Sequence, residues 1–208
     1  MLDYATFMQS FAVLWAVIDP IGSVPVFISV TQGMAAARRK QIAGRAILVA
    51  LGVLVFFVVA GELLLNAISV PLSAFQISGG IILFLFALTM IFGESKPDEE
   101  KKMVSGSSDP SVFPLAIPSI ASPGAMMAIV LLTDNTRNSI AEQAQTTAIM
   151  VSVLIVTYVL LRLAEPIQRV IGDAGASIVS RVMGLILASV AANNVLEGIT
   201  QYFSLATH

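Results

Sequence analysis

The chain has 208 residues, of which 57% are hydrophobic and 12% are charged, and its mean hydropathy is +0.90. A soluble domain carries about 25% charged residues, so this chain has too few polar residues to cover a water-exposed surface and is expected to be an integral membrane protein. The net charge of −2 argues against a nucleic-acid partner. The absence of cysteine excludes disulfides, thiol catalysis and thiolate metal ligands.

Six apolar segments, each long enough to cross a bilayer as a helix, follow one another along the chain. They lie at about 5–31, 42–66, 73–93, 112–133, 144–165 and 178–203. The most polar stretch, 94–111, separates the third segment from the fourth and predicts a solvated cytoplasmic loop. The sequence therefore predicts a single all-α membrane domain over residues 1–208 with six transmembrane helices.

The basic residues are divided unequally between the joints that connect these spans. Ten of the eleven Lys and Arg residues lie after the first, third or fifth span, and only Arg137 lies on the other side. Basic loops are retained in the cytoplasm. We therefore expect a multi-pass protein of the plasma (inner) membrane with both chain ends outside the cytoplasm.

The centre of the first span contains the segment 19–25, with the sequence DPIGSVP. Pro20 and Pro25 lack an N–H and disfavour helix in the residue before them. The first helix is therefore expected to break at membrane depth, at both prolines. Such a break is tolerated only where protein or a water-filled cavity surrounds it.

The two halves of the chain match one another at an offset of about 103 residues. Three features of successive spans coincide: Pro20 with Pro123, Glu62 with Glu165 and, after one inserted residue, Gly80 with Gly184. Residues 1–93 and 112–208 are thus predicted to be two repeats of three spans each. Because three crossings reverse the direction of the chain, the second repeat is expected to be inverted.

The fourth span is broken like the first, by Pro114, Pro118, Pro123 and Gly124. One proline kink in a membrane helix is more often structural than functional. Two inverted repeats that each contain a broken helix are, however, typical of secondary transporters, which bind their substrates at the breaks. The pairing of the breaks therefore favours a substrate site there.

The half-helices that begin after Pro20 and Pro123 are expected to present unpaired N–H groups and a positive dipole end. Such helix ends bind carboxylates and phosphates. The residues predicted to surround this anion site are Gly22, Ser23, Ser122, Gly124 and Ala125. Asn193 and Asn194, within the sixth span, are predicted either to bind substrate or to join helices by hydrogen bonds.

Asp19 is the only acid that we place well inside a predicted span, where a charge costs about 3 kcal/mol on insertion scales. It is predicted to cap the half-helix after Pro20, to carry a coupling proton or to bind a substrate ammonium, and these roles are compatible. No nucleophile–base pair, phosphate-binding loop or metal-ligand motif is present in the sequence. We therefore expect no cofactor, no metal and no enzymatic activity.

Several segments resemble the motifs of the MarC family of bacterial and archaeal inner-membrane proteins. Segment 18–27 (IDPIGSVPVF) resembles the family signature D-P-x-G-x-x-P-[IV]-F, and segment 78–85 (SGGIILFL) resembles the third-span motif. The fourth-span motif is matched by 114–118 (PLAIP) with 122–124 (SPG), and the sixth-span motif by 181–187 (RVMGLIL). The resemblance extends, in order, over nearly the whole chain.

The resemblance implies six spans with both ends outside, as the charge distribution also predicts. Some family members are neutral amino acid transporters of the SnatA type, which implies proton-coupled transport of glycine and alanine. The segment Ala121-Ser122 departs from the family pattern, in which small residues ending in glycine precede the proline, and this bears on the choice of substrate.

The combined prediction is a secondary transporter of a zwitterionic amino acid, with access alternating between the two repeats. The substrate carboxylate is expected at the half-helix ends, and its ammonium group or the coupling proton near Asp19 and Asn193 or Asn194. An exporter or a transporter of another small solute is the first alternative. A non-transporting scaffold is the second, and it predicts no cavity at the breaks. A homo-oligomer is compatible with either class.

Overall fold

The computed structural model describes residues 4–67, 69–92, 109–135 and 138–206, and within these ranges it contains helices and no strand. The helices are α1 (Tyr4–Ile18), α2 (Ser23–Val30), α3 (Ala36–Ala67), α4 (Leu72–Phe92), α5 (Ser111–Ile120), α6 (Pro123–Leu132), α7 (Ile140–Arg162) and α8 (Ala164–Ala206). The predicted all-α class is confirmed. Most of the predicted polar loop of 94–111, namely residues 94–108, lies outside the described residues.

Five stretches of the described helices are long and apolar enough to cross a membrane, and the bent pair α5–α6 provides a sixth. α1 and α2 together form the first of these spans, Phe7–Val30, and the last is Ser177–Ser204 within α8. The observed spans agree with the predicted ones to within a few residues, except that α3 starts earlier. Its first turns carry Arg38, Arg39 and Lys40, so they are helical without being apolar.

Two faces of the bundle can be defined from the direction of the helices. We call the face at which α1 begins and α8 ends the terminal face, and the face at which α3 begins the basic face, because Arg38, Arg39 and Lys40 lie there. α1, α4 and α7 run from the terminal face to the basic face. α3, α6 and the membrane-spanning part of α8 run back.

The broken helices form the centre of the protein. In the first span 67% of the residues in the apolar window are buried inside the protein, whereas in α3 the share is 17% and in Ser177–Ser204 it is 22%. α3 and α7 instead expose large apolar side chains such as Leu48, Val59 and Ile155. Such exposure suits a lipid-facing surface, so the breaks lie where protein, not lipid, surrounds them.

α4 and α8 pack closely and antiparallel, and two of the glycines at their interface make matching contacts. A Cβ on Gly80 would lie 2.9 Å from the carbonyl oxygen of Ala191, and a Cβ on Gly184 would lie 3.1 Å from that of Ala87. Small residues allow membrane helices to approach in this way. The two contacts are reciprocal, because Gly80 corresponds to Gly184 and Ala87 to Ala191 at one common offset.

The helix does not break at Pro25, and that prediction is wrong. α1 ends at Ile18 and α2 begins at Ser23, so Pro25 lies in the first turn of α2. The first N–H groups of a helix have no partner within it, so a proline there costs no hydrogen bond. The first span is therefore broken once, at residues 19–22.

The fourth span is irregular at its prolines, as predicted. Within α5 the residues that precede Pro114 and Pro118 are extended, Phe113 with φ −128° and Ile117 with φ −132°. Both of these Xaa–Pro peptide bonds are cis. Pro123 is the first residue of α6, which is bent by 53° from α5. α8 also contains one non-helical residue, Gly172, with a φ of +64°.

Candidate functional site

Asp19 forms the break in the first span. Its φ is +49°, a left-handed conformation that ends α1 and that aspartate tolerates better than most residues. Its Oδ1 accepts a hydrogen bond of 3.0 Å from the backbone N–H of Gly22, just before α2. The side chain is 2% exposed. The predicted capping role of Asp19 is thereby confirmed, while its proposed role in proton transfer stays a prediction.

Gly22 is required by the position of the Asp19 carboxyl group. A Cβ on Gly22 would lie 2.0 Å from Oδ2 of Asp19 and 2.9 Å from Oδ1. No real Cβ contact is that short, so any other residue would displace the carboxyl group from its N–H partner. Asp19 and Gly22 therefore form one structural unit.

Ser122 forms the break in the second half. It is extended, with ψ 158°, and its Oγ accepts a 3.0 Å hydrogen bond from the N–H of Ala125, which caps α6. The same hydroxyl donates to the backbone oxygen of Val17, at 2.9 Å, in the last turn of α1. Ser122 thus closes its own half-helix and also joins the two broken helices.

The two breaks are in direct contact in the interior. The Oγ atoms of Ser23 and Ser119 are 3.2 Å apart and share a hydrogen bond, and Ser23 Oγ also contacts the backbone oxygen of Asp19 at 3.1 Å. Ser23, Ser119 and Ser122 are all 0% exposed. Gly124 is buried as well, and a Cβ on it would lie 2.6 Å from Leu83 Cδ1. In this conformation the breaks are closed to both faces.

Four N–H groups at the half-helix ends have acceptors within the protein. Gly22 donates to Asp19 Oδ1 and Ala125 donates to Ser122 Oγ. The backbone N–H groups of Ser23 and Met126 donate to backbone oxygens. The expectation of unpaired N–H groups is therefore wrong for these four residues, because the chain supplies acceptors for them. An anion would reach these N–H groups only by displacing a cap.

Asn193 and Asn194 lie towards the terminal face. Both line a cavity of about 370 Å³ between α1, α6 and α8, and Asn194 also lines a second cavity of about 240 Å³. Gln9, near the start of α1, borders both cavities. The linings of these two cavities include none of the predicted residues at the breaks. The structure thus groups the asparagines apart from Asp19.

Sequence reasoning did not single out two polar residues near Asn193: Glu197, which accepts from it, and Gln76, which donates to Glu197. The Asn193 Nδ2 donates to Glu197 Oε1 at 2.7 Å, and the Gln76 Nε2 donates to Glu197 Oε2 at 3.2 Å. Glu197 lies inside the span Ser177–Ser204, so Asp19 is not the only acid within a span. The available signal was the run of polar residues at one-turn spacing, Asn193 and Glu197, in an apolar helix.

An ion pair joins the two halves of the chain at the basic face. The guanidinium group of Arg39 in α3 pairs with the carboxylate of Glu165 in α8 and lies 5.6 Å from the ring centre of Phe27 in α2. A cavity of about 180 Å³ lies beside these three residues and is also lined by Lys40 and Arg162. Among the described residues, no group of three acidic or His side chains is placed to hold a metal ion.

The fold and the site define a class of protein. The chain is an integral, multi-pass, all-helical membrane protein whose interior holds two helix breaks in contact with each other. The chain belongs to the MarC family: the model of the MarC family integral membrane proteins matches residues 4–203. The resemblance seen in the sequence motifs is thereby confirmed.

Related proteins occur in bacteria and archaea. The UPF0056 inner membrane protein YhgN of Escherichia coli (strain K12) is 33% identical over 189 residues, which cover 89% of this chain and 92% of that protein. The UPF0056 membrane protein of Archaeoglobus fulgidus is 31% identical over 202 residues, which cover 94% of this chain and 92% of that protein. YvbG of Bacillus subtilis, also a UPF0056 membrane protein, is 30% identical over 209 residues, which cover 98% of this chain and 99% of that protein. No solved structure matches the chain.

Proposed function

We propose that this protein is a secondary transporter of small neutral amino acids, of the glycine or alanine type, driven by protons. The observation that carries the proposal is the contact between the two helix breaks, where Ser23 and Ser119 share a 3.2 Å hydrogen bond inside the protein. Secondary transporters place discontinuous helices at the membrane midplane and bind substrate between them. A break that served only to bend one helix would not need a partner.

The predicted inverted repeat is supported by contacts that occur twice. Asp19 caps Gly22 and Ser122 caps Ala125, each at 3.0 Å and at equivalent positions of the two halves. The reciprocal glycine contacts between α4 and α8 are those that a two-fold axis in the membrane plane would generate. Two halves related in this way could rock against each other to expose the breaks first to one face and then to the other.

The two faces differ in a manner that suits such a cycle. At the basic face Arg39 and Glu165 tie the two halves together above Phe27. At the terminal face two cavities, of about 240 and 370 Å³, extend between the halves. The breaks are buried from both faces in this conformation, and we infer that they open first towards the terminal face, where the larger cavities lie. Breaking the Arg39–Glu165 pair would then belong to the opposite half of the cycle.

Asp19 offers a way to couple protons to substrate. Its carboxyl oxygen now takes the N–H of Gly22, and an ionised carboxylate accepts a stronger hydrogen bond than a neutral acid. Protonation of Asp19 would weaken that bond and leave the N–H to a substrate carboxylate. Substrate and proton would therefore bind together, which is the requirement for symport.

The proposed location is the plasma membrane, with both chain ends outside the cytoplasm. The related YhgN is described as an inner membrane protein. The basic face, with the residues at the start of α3, would lie in the cytoplasm by the distribution of Lys and Arg. The terminal face and its cavities would then open to the outside.

A non-transporting scaffold is the alternative that one observation favours. Ser23, Ser119 and Ser122 are 0% exposed and have partners within the protein, as a purely structural break would. A scaffold also predicts no cavity at the breaks, and neither terminal-face cavity is lined by a residue of the breaks. It does not account for two cavities between the halves, one of which has a largely polar lining. Transport therefore remains the better explanation of the whole arrangement.

The test is uptake of labelled glycine and alanine into vesicles that contain the purified protein. With an inward proton gradient we expect uptake above that of protein-free vesicles, and its loss when a protonophore collapses the gradient. D19N should abolish the dependence on the proton gradient, because an amide oxygen still accepts from Gly22 but carries no proton. D109N, at an acid outside the membrane spans, is the matched control and should behave as the wild type does.

Failure of every amino acid to accumulate would contradict the assignment of substrate. If sulfonates, phosphates and other small solutes also failed, while the protein remained folded, the scaffold would be the better conclusion. Gradient-dependent uptake that D19N leaves unchanged would remove Asp19 from the coupling mechanism.

A further inference from the structure

The 240 Å³ cavity at the terminal face is lined in part by a carboxylate that no sequence motif marked, that of the exposed Glu197. Glu197 belongs to the membrane-spanning part of α8, where an acid is costly and is usually paired. Its two oxygens each accept one amide hydrogen, from Asn193 at 2.7 Å and from Gln76 at 3.2 Å. Gln76 is 2% exposed. The carboxylate is therefore held in place by neutral groups.

The charged residues in the described lining of this cavity have one sign. Its described lining includes the carboxylates of Glu142 and Glu197, the amides of Gln9, Gln145 and Asn194, and no Lys, Arg or His. Neither of the two ion pairs among the described residues involves Glu197. A cavity lined by acids and amide oxygens, with low-dielectric walls, raises the local concentration of cations.

We infer that this cavity binds the ammonium group of a small solute, with Glu197 as its counter-ion. The inference deepens the proposed function by placing the amine end of the substrate, and it rests on that proposal only for the identity of the solute. An ammonium group donates three hydrogen bonds and accepts none, which matches a site of carboxylate, amide and hydroxyl oxygens. It would supply the positive charge that the neutral partners of Glu197 lack.

The neighbouring cavity suits the rest of such a solute. The 370 Å³ cavity is bordered mainly by apolar residues and shares four lining residues with the first: Gln9, Leu131, Leu132 and Asn194. Pockets for drug-sized ligands measure about 300–1,000 Å³, so the polar cavity by itself suits only a small head group. An ammonium group in one cavity and a short aliphatic body in the other would occupy both.

The position of the Glu197 site between the terminal face and the breaks gives it a role in the transport path. Ala12 and Val13 on α1 and Ala128 on α6 lie along the helices that lead from the terminal face to the breaks. A solute held by Glu197 would thus be oriented with its other end towards Asp19 and Ser122. The site acts before the breaks and selects positively charged head groups on entry.

The first test is the melting temperature of the purified full-length protein with ethylammonium chloride, sodium chloride or sodium propionate at equal ionic strength. A ligand that binds only the folded state raises the melting temperature. We expect ethylammonium to raise it and the two sodium salts to leave it unchanged. E197Q should weaken the apparent ethylammonium affinity at least tenfold, while E197D should retain most of it.

E142Q is the matched control, because it removes a second carboxylate of the same cavity. Oε2 of Glu142 accepts from both the N–H and the hydroxyl of Ser139, at 2.7 and 2.8 Å, in the cap of α7, so one of its two oxygens is already engaged. Its loss should reduce the ethylammonium shift by a smaller factor than E197Q does. Equal shifts in the wild type and E197Q, or no shift with ethylammonium, would overturn the inference.

A labelling experiment provides a second measurement if E197Q does not fold. The chain contains no cysteine, so N194C has a unique thiol in the cavity. A cationic methanethiosulfonate should modify it several-fold faster than an anionic one of similar size, and an anionic preference would contradict the inference. Amino acid uptake is a separate readout: ethylammonium binding that requires Glu197 in a protein that transports no amino acid would sustain this inference and refute the proposed function.

Discussion

The two helix breaks reach the same local geometry with different residues. Asp19 and Ser122 occupy equivalent positions, and each accepts a 3.0 Å hydrogen bond from the N–H three residues further along. The two half-helices also end alike, at Thr31 and Thr133, whose hydroxyls each donate to the carbonyl oxygen four residues earlier at 2.6 Å. The caps at both ends of α2 therefore recur in α6.

The chemistry of the two caps differs. An ionised aspartate only accepts hydrogen bonds, whereas serine accepts and donates, and Ser122 uses its proton to hold Val17 in the other half of the chain. Asp19 instead requires a left-handed backbone and a glycine beneath its carboxyl group. The comparison separates two tasks: Ser122 joins the two breaks, and Asp19 holds the N–H of Gly22 within its own break, while its part in proton coupling stays a proposal.

The largest difference between the breaks is expected for G22A. The new Cβ would displace the Asp19 carboxyl group from the Gly22 N–H. Loss of a cap costs about 1 kcal/mol of stability, and a buried N–H left without an acceptor costs about 1–3 kcal/mol. The matched variant is G124A, whose nearest contact is the flexible end of Leu83. Melting temperatures in detergent should show G22A to be much the less stable, and equal losses would contradict the Asp19–Gly22 unit.

A smaller effect should distinguish the two caps themselves. S122A breaks two hydrogen bonds, one of which joins the halves, and should destabilise the fold by about 1–3 kcal/mol. D19N keeps an acceptor oxygen for Gly22 and should be destabilised less, while losing proton dependence. Unfolding measurements check the predicted difference in stability, and uptake assays on the same preparations check the predicted loss of proton dependence. The comparison fails if D19N unfolds as easily as S122A.

The ends of the half-helices at opposite faces offer a third contrast. α2 carries Phe27 under the Arg39–Glu165 pair. In α6 the residue four positions before the terminal threonine, as Phe27 is before Thr31, is Ile129. Exposed ion pairs contribute about 0–1 kcal/mol, and the Glu165 side chain is 59% exposed. E165Q should therefore barely change the melting temperature. It should nevertheless open the basic face.

Opening at the basic face can be measured with L161C, since Leu161 lines the cavity there and is 1% exposed. A thiol reagent should modify L161C several-fold faster in the E165Q background. D109N, which removes the Arg45–Asp109 pair of 2.7 Å, is the control and should not change that rate. The swapped pair R39E with E165R should restore slow labelling if charge complementarity closes this face.

The smallest expected effect concerns Asp109, which lies just before α5, the start of the second broken span. Among the described residues, no equivalent acid lies before the first broken span. The hydroxyl of Ser111 lowers the pKa of Asp109 below its usual 3.8, and the Ser111 backbone N–H and the Arg45 guanidinium act in the same direction. Because the pKa of Asp109 is lower in the folded state, Asp109 stabilises the fold at any pH above its unfolded-state pKa. This stabilisation is lost as the pH falls through the lowered, folded-state pKa. Below a pH of about 4, the melting temperature should fall slightly more for the wild type than for D109N.

Much of the fold could be predicted from sequence because membrane insertion depends on local properties. The six spans follow from the sum of hydropathy over each segment. The breaks near Asp19 and before Pro123 follow from missing N–H groups and the restricted residues before proline. Pro25 was misassigned, because whether a proline breaks or begins a helix depends on where the first turn starts, and the cap at Asp19 decides that.

The site could be predicted only in part. The caps lie at the predicted residues, but the N–H groups of Gly22 and Ala125 are engaged by Asp19 and Ser122 and not left for a ligand. Glu197 was missed because its importance comes from Gln76, which is 121 positions away along the chain. Asn193 was selected for its amide and turned out to hold Glu197.

The sequence by itself determined which segments span the membrane, where two of them break and that the halves of the chain match. These features depend on neighbouring residues, whose hydropathy and backbone restrictions act in any context. Only the tertiary structure decided that Ser23 meets Ser119, that Arg39 meets Glu165 and that the polar residues of α4 and α8 share a cavity. Those contacts depend on the rotation and close approach of whole helices, which the packing of many small residues sets together.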